Sequence, residues 1–181
     1  MCRKIQVLLI LALFFGGQMY GHSGKPKYHV IIDTDGALDD MRSISMFLSG
    51  HDIRVLAITC SQGTLLPVYV GNKVNSLLSA YHHEGIRVGV GEETGRALPG
   101  WSSFAQSIRW GNGSGVQSPQ VPEEATLLLK RTTENYREKI TLIALGSLKT
   151  YADWLKSDPS VTEKIDRIIW YNHPEIDNGF N

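Results

Sequence analysis

Ile31-Ile32-Asp33-Thr34-Asp35-Gly36-Ala37-Leu38-Asp39-Asp40 is the stretch on which the fold turns. With the residues before it, Tyr28–Asp33 is a β-branched run ending in polar residues, the pattern of a buried strand. Asp39–Leu48 follows, and its Met41, Ile44, Met46, Phe47 and Leu48 suit a helix packed on a sheet. In open parallel α/β sheets, ligands bind outside the carboxyl ends of the strands. Asp33, Asp35, Asp39 and Asp40 therefore stand where a ligand is expected. Carboxylates gathered at one strand end repel one another, and are stable together only with a cation or with protons on some of them. Oxygen donors without Cys or His favour a hard ion, Ca²⁺ or Mg²⁺. Helix capping is the plain structural alternative, because a helix N-terminus favours anions. It accounts for one of Asp39 and Asp40 and leaves Asp33 and Asp35 unexplained.

Working outward, Ile53–Thr59 reads as the next strand, and Val68–Tyr81 returns to helical spacing with Val70, Val74, Leu77, Leu78 and Tyr81 on one side. Arg87–Val90 is a short strand. Gly91–Val121 has no clear period, is rich in Gly, Ser and Pro, and carries Trp101, Phe104 and Trp110. A stretch of that length is a functional lid or insertion, or a loop that its aromatics pin to the body. Pro122 with Glu123 and Glu124 is helix-start chemistry and predicts a helix to about Glu138. Ile140–Leu145 is a strand, Leu148–Lys156 a helix, Asp158-Pro159 a break, Val161–Ile165 a short helical piece and Asp166–Tyr171 a last strand. Strands alternating with helices in this way mean βαβ units. The expected fold is α/β, an open, mainly parallel sheet with helices on both faces, formed as one domain by residues 25–181.

The 181 residues carry 18 Lys and Arg against 18 Asp and Glu, so the formal net charge is zero. That balance gives no electrostatic reason to expect a nucleic acid or an anionic membrane as partner. At 42% hydrophobic and 20% charged residues the chain is globular rather than disordered. Two cysteines rule out a disulfide-stapled scaffold, and no Cys/His spacing of metal type occurs. Met1–Gly24 reads as a secretory signal peptide: Arg3 and Lys4 precede the apolar Ile5–Phe15, and small residues from Gly16 to Gly24 follow. The apolar run is shorter than the ~20 residues that cross a bilayer, so a secreted or periplasmic location is expected, without a stable membrane span. Cys2 leaves with that segment, and Cys60 is expected as a small buried hydrophobe. Asn112-Gly113-Ser114 matches a glycosylation sequon and equally a turn. His82 and His83 at a helix end, and Lys130-Arg131, are expected at the surface.

Two families share features with residues 33–40. The Asp33-Thr34-Asp35-Gly36 form after a strand resembles the nucleophile motif of haloacid-dehalogenase phosphatases, but Ala37 stands where those enzymes usually have Thr or Val, and no acidic pair follows at a later strand end. Asp33-Thr34-Asp35-x-x-x-Asp39-Asp40 more fully resembles the D-x-D-x-x-x-D-D signature of the inosine–uridine preferring nucleoside hydrolases. That resemblance continues through Ala57-Ile58-Thr59, Gln62-Gly63, the Asn72–Leu78 helix, Ile140–Lys149, Asp158-Pro159, Lys164-Ile165 and Ile168–Trp170. It implies a small-molecule nucleoside substrate and a Ca²⁺ cofactor. By position, Asp35 resembles the family's general base and also a metal ligand. Asp40 resembles a direct Ca²⁺ ligand, Leu145 falls where a backbone carbonyl reaches the ion, Asp39 resembles a ligand of ribose hydroxyls, and Asp33 organises the site from behind. The implied reaction is hydrolysis of an N-glycosidic bond to ribose and free base, by a Ca²⁺-bound water from which Asp35 takes the proton.

The chain departs from the family in places. Gly36-Ala37 replaces the usual Pro-Gly. Thr64 stands where an Asn commonly contacts ribose, and its shorter side chain weakens that contact. Tyr171-Asn172-His173 replaces a Gly-Gly. His173, before Pro174, reads as an ordinary loop histidine rather than a replacement acid. The family's further C-terminal half, with another metal-ligating Asp and often a His acid, has no counterpart before Asn181, so the chain is expected to be the N-terminal portion of a longer protein. A homo-oligomer is compatible with this reading. A non-catalytic nucleoside or sugar binder of the same fold remains the main alternative, and a phosphatase the lesser one.

Overall fold

A computed structural model describes residues 25–111, 122–134 and 136–170. Met1–Gly24, expected as a signal peptide, the sequon match at Asn112 and His173 lie outside the described residues. The strands are β1 (Tyr28–Thr34), β2 (Ile53–Cys60), β3 (Arg87–Val90), β4 (Glu123–Glu124), β5 (Ile140–Ala144) and β6 (Ile165–Trp170). The helices are α1 (Leu38–Ser49), α2 (Pro67–Ala80), α3 (Ser102–Ser107), α4 (Ala125–Glu134) and α5 (Lys149–Ser157), with a 3₁₀ helix at Pro159–Lys164. The sheet order is β4-β3-β2-β1-β5-β6 and every pair is parallel, so β1 sits inside the sheet with its carboxyl end between those of β2 and β5.

Alternation along β1 explains the two-sided core. Val30 and Ile32 face Met41 and Ile44 of α1 and Val70, Val74, Leu77 and Leu78 of α2. Ile31 faces the opposite way, among Leu128 and Leu129 of α4 and Tyr151 and Trp154 of α5. Successive strand side chains point to opposite faces, so a strand covered by helices on both sides must be apolar nearly throughout. Tyr151 ties the second layer to the sheet: its hydroxyl donates to Ile31 O at 3.0 Å and to Ile143 O at 3.1 Å. Among the described residues no helix is long and apolar enough to cross a membrane.

Several boundaries differ from the sequence expectation. The helix expected from Pro122 begins at Ala125, because Glu123 and Glu124 pair with Gly89 and Val90 as β4. The helix-start chemistry is present one step later. The Glu124 carboxylate accepts the Thr126 N–H at 2.8 Å and the Leu127 N–H at 2.7 Å, which satisfies first-turn donors. Arg131 is not simply solvated, since it reaches Glu123 at 3.0 Å beside Arg87 at 2.7 Å. The same helix stops at Glu134 rather than near Glu138, where Lys164 Nζ donates to Thr133 O and Glu134 O at 2.6 and 2.8 Å. The piece expected at Val161–Ile165 is the 3₁₀ helix, opened by Pro159 and by Asp158, whose carboxylate accepts the Ser160 N–H at 3.2 Å. The aperiodic segment contains α3, which no period announced. Cys60 is fully buried, as expected.

Gly89 sits where β3 touches α4. A Cβ there would lie 2.9 Å from the Ala125 Cα and 2.9 Å from Leu128 Cδ2. Gly89→Ala is expected to push α4 off the sheet and lower stability by about 1–3 kcal/mol. Urea unfolding followed by circular dichroism checks this, and an unchanged midpoint would refute the close packing.

Candidate functional site at the carboxyl end of β1

Asp33, at the end of β1, is completely buried, and its Oδ1 accepts the Thr59 hydroxyl from β2 at 2.6 Å. Its Oδ2 and the Ser61 Oγ are buried without a hydrogen-bond partner of regular geometry. Burial pushes the Asp33 pKa up to about 7, with the Ser61, Thr59 and Thr150 hydroxyls opposing the rise. Asp33 is thus enclosed at the strand end, bonded to β2 and shut off from solvent.

Asp40 resolves the capping alternative. Its side chain turns back to the strand: Oδ2 accepts the Thr34 hydroxyl at 2.7 Å and the Asp35 N–H at 3.1 Å. The N-cap of α1 is Ala37, with no side-chain cap. Asp40 is buried, and that burial, with the charge of Asp35 second, pushes its pKa up to about 8.

Asp35 is gripped on all sides. Its Oδ1 accepts the Ala37 N–H at 3.1 Å and its Oδ2 the Thr64 N–H at 3.0 Å. A Cβ on Gly63 would stand 2.2 Å from Oδ2, and one on Gly146 would stand 3.1 Å from the Asp35 Cβ. At position 63 only glycine leaves room for the carboxylate, and at 146 a side chain would press tightly on the Asp35 Cβ and N. Gly36, with φ +81°, makes the turn that brings Asp35 out of the strand. Burial raises the Asp35 pKa, against which the Thr64 and Ala37 donors pull.

The other expected residues fall around this centre. Asp39 is exposed on the first turn of α1, and its charge adds to the rise at Asp35 and Asp40. Thr64, expected against ribose, is buried and placed against the Asp35 carboxylate. Leu145 follows β5 directly, and its N–H donates to Asp33 O at 2.9 Å, which sets its backbone beside the end of β1. Next to it, Gly146 O accepts the Trp170 indole N–H at 3.1 Å.

Among the described residues no group of three or more His, Cys, Asp or Glu side chains is arranged to hold a metal ion. Asp35, Asp40 and the Leu145 carbonyl are all hard oxygen donors. Two buried carboxylates with raised pKa values are a setting that a cation relieves. The set fits a hard cation as part of a shell. Sequence reasoning missed the Thr34 hydroxyl, the glycine contacts and the Trp170 bond. Gly63 and Gly146 stood in the matched blocks, but only tertiary neighbours show how closely both approach Asp35. A cavity of about 260 Å³ lies at the carboxyl ends of β2, β3 and β5, lined by Ser61, Gln62, Glu92, Thr94, Lys149 and Thr150 among others. The aspartates near Asp35 are not part of that lining.

Known proteins share this architecture. The family model for inosine-uridine preferring nucleoside hydrolase matches residues 30–171. The chain is 26% identical over 155 residues to Uncharacterized protein C17G8.02 of Schizosaccharomyces pombe, covering 82% of this chain and 46% of that one. It is 26% identical over 148 residues to the pyrimidine-specific ribonucleoside hydrolase RihA of Escherichia coli, covering 77% and 46%. A solved plant nucleoside hydrolase matches with a TM-score of 0.65 and 27% identity, over 80% of this chain and 48% of that one. The chain spans about half the length of the curated relatives it matches.

Two outcomes follow from the geometry. Gly63→Ala is expected to drive the Asp35 carboxylate away from Thr64 and cost about 1–3 kcal/mol of stability; an unchanged melting temperature would contradict the contact. The second concerns pH. Folding raises the Asp33 and Asp40 pKa values to about 7 and 8 from 3.8, so the native state holds protons that the unfolded chain has released. Their contribution to stability is greatest below the ordinary carboxylate pKa and declines as pH rises through the folded values. Chelator-treated protein should lose thermal stability between about pH 4 and 8, whereas added Ca²⁺ should restore more at pH 8 than at pH 5. Equal Ca²⁺ effects at both pH values would argue against Asp40 as its ligand.

Proposed function

The chain belongs to the inosine-uridine preferring nucleoside hydrolase family, and from that premise we propose that the whole protein hydrolyses the N-glycosidic bond of ribonucleosides, releasing ribose and free base. The observation that carries the proposal is the buried Asp35 carboxylate, fixed between Thr64 and Ala37 with its pKa raised by burial. A general base works best with a pKa near the working pH, and in this reading Asp35 takes the proton of the attacking water. Asp35, Asp40 and the Leu145 carbonyl would hold Ca²⁺. When bound, the cation would lower the pKa of water and orient vicinal sugar hydroxyls.

The remaining residues have distinct tasks. Asp39, exposed beside the buried cluster, would accept hydrogen bonds from ribose hydroxyls. Asp33 keeps the strand end in shape through Thr59, while Thr64 holds Asp35. Negative charge around the sugar favours the oxocarbenium-like transition state of glycosidic cleavage. The family match favours this chemistry over a phosphatase. Export through Met1–Gly24 to a secreted or periplasmic location, and assembly as a homo-oligomer, complete the proposal. Terminal sequencing of the mature protein and light scattering test these two points.

Full-length protein with Ca²⁺ should release ribose from inosine or uridine, read by a reducing-sugar assay, and Asp35→Ala should remove that release almost completely. A fully active Asp35→Ala protein would overturn the assigned base. Saturable heat with a riboside but no product would instead identify a binder. For the 181-residue chain itself, weak Ca²⁺ binding and little turnover are expected, because three protein oxygens fill only part of the roughly 6–8 positions that Ca²⁺ prefers.

A further inference from the structure

We infer that Gln62 is a positioning residue that couples the loop after β3 to the grip on Asp35. This inference rests on the reading of Asp35 given above. Residues 92–97 are exposed along their length, yet one buried side chain holds them at two points. The Gln62 Oε1 accepts the Thr94 N–H at 2.6 Å, and its Nε2 donates to Arg96 O at 2.7 Å. Both ends of a single amide are thus satisfied by one short turn, which includes Gly95 at φ +72°. The base of the same loop is fastened to β2, where the Gly91 N–H donates to Cys60 O at 2.8 Å.

The other side of Gln62 faces the site through the chain itself. Residues 61–64 form a strap in which each residue makes a separate contact. The Ser61 N–H donates to Thr34 O at 2.9 Å, Gly63 presses on the Asp35 carboxylate, and the Thr64 N–H donates to Asp35 Oδ2 at 3.0 Å. Gln62 is the one member of the strap whose side chain reaches the β3 loop. Movement of that loop pulls on a residue adjacent to the glycine that touches Asp35. There is little slack, since Gly63 has no room even for a methyl group. A buried amide with both ends bonded costs free energy if either partner is removed, so loop and strap shift together. The loop also walls the cavity at the carboxyl ends of β2, β3 and β5, which Gln62, Glu92 and Thr94 line. Occupancy of that cavity is therefore felt at Asp35.

The test compares Gln62→Glu, which keeps the shape and the acceptor toward Thr94 but places a carboxylate against the Arg96 carbonyl, with Gln62→Ala. Amide hydrogen exchange and Ca²⁺ titration by calorimetry are measured on the 181-residue chain. Coupling predicts at least tenfold faster exchange at both the Thr94 and the Thr64 amides, with core amides such as that of Ile32 unchanged. It also predicts a Ca²⁺ Kd at least threefold weaker. A plain loop anchor would speed Thr94 alone and leave Thr64 and the Ca²⁺ Kd as in the parent, which would overturn the inference. If Gln62→Ala unfolds, Gln62→Glu decides by the same readings. Absence of Ca²⁺ binding by the parent would count against the cation assignment and leave the exchange of Thr64 to decide the coupling.

Discussion

Asp33, Asp35 and Asp40 are buried together at the carboxyl end of β1, and the surrounding structure is organised by the cost of that burial. Each carboxylate loses water and faces the charge of its neighbours, which raises all three pKa values. The donors that offset this come from four directions. Thr59 arrives from β2, Thr34 from β1 itself, Thr64 from the strap after β2, and the Ala37 and Asp35 N–H groups from the turn into α1. β2 beside β1 brings Thr59 and the strap with Thr64 to the cluster, and β5 on the other side brings Leu145, whose N–H donates to Asp33 O.

The two cores serve the same end. α1 and α2 hold one face of β1 and α4 and α5 the other, so the strand end is fixed against side-to-side tilt. Close glycine contacts depend on this stiffness. Gly63 and Gly146 approach Asp35 so nearly that a small displacement of β2 or β5 would turn contact into clash or gap. The Tyr151 hydroxyl, bonded to Ile31 O and Ile143 O and close to Asp33, ties α5 to the two strands that carry the cluster.

Thr64 is buried, and its backbone N–H donates to the Asp35 carboxylate, so this residue serves the cluster from within. On the outer side, Asp39 remains the exposed carboxylate of the group. The cluster is therefore graded, from the enclosed Asp33 through Asp35 and Asp40 to the solvent-facing Asp39.

The sequence by itself determined the strand and helix order, the parallel sheet covered on both faces and the importance of residues 33–40. These follow from local periodicity and from four acids at one strand end, and neither signal needs a third dimension. It also pointed to the nucleoside hydrolase family through the spacing of those acids. Only the tertiary structure decided that Asp40 faces the strand instead of capping α1, that Thr64 stands against Asp35, and that Gln62 grips a loop more than thirty residues away. It also moved the start of α4, because the pairing of Glu123 and Glu124 with β3 overrides a local helix signal. Such contacts join residues distant in the chain, and their free energy depends on burial and hydrogen-bond geometry that no local pattern encodes.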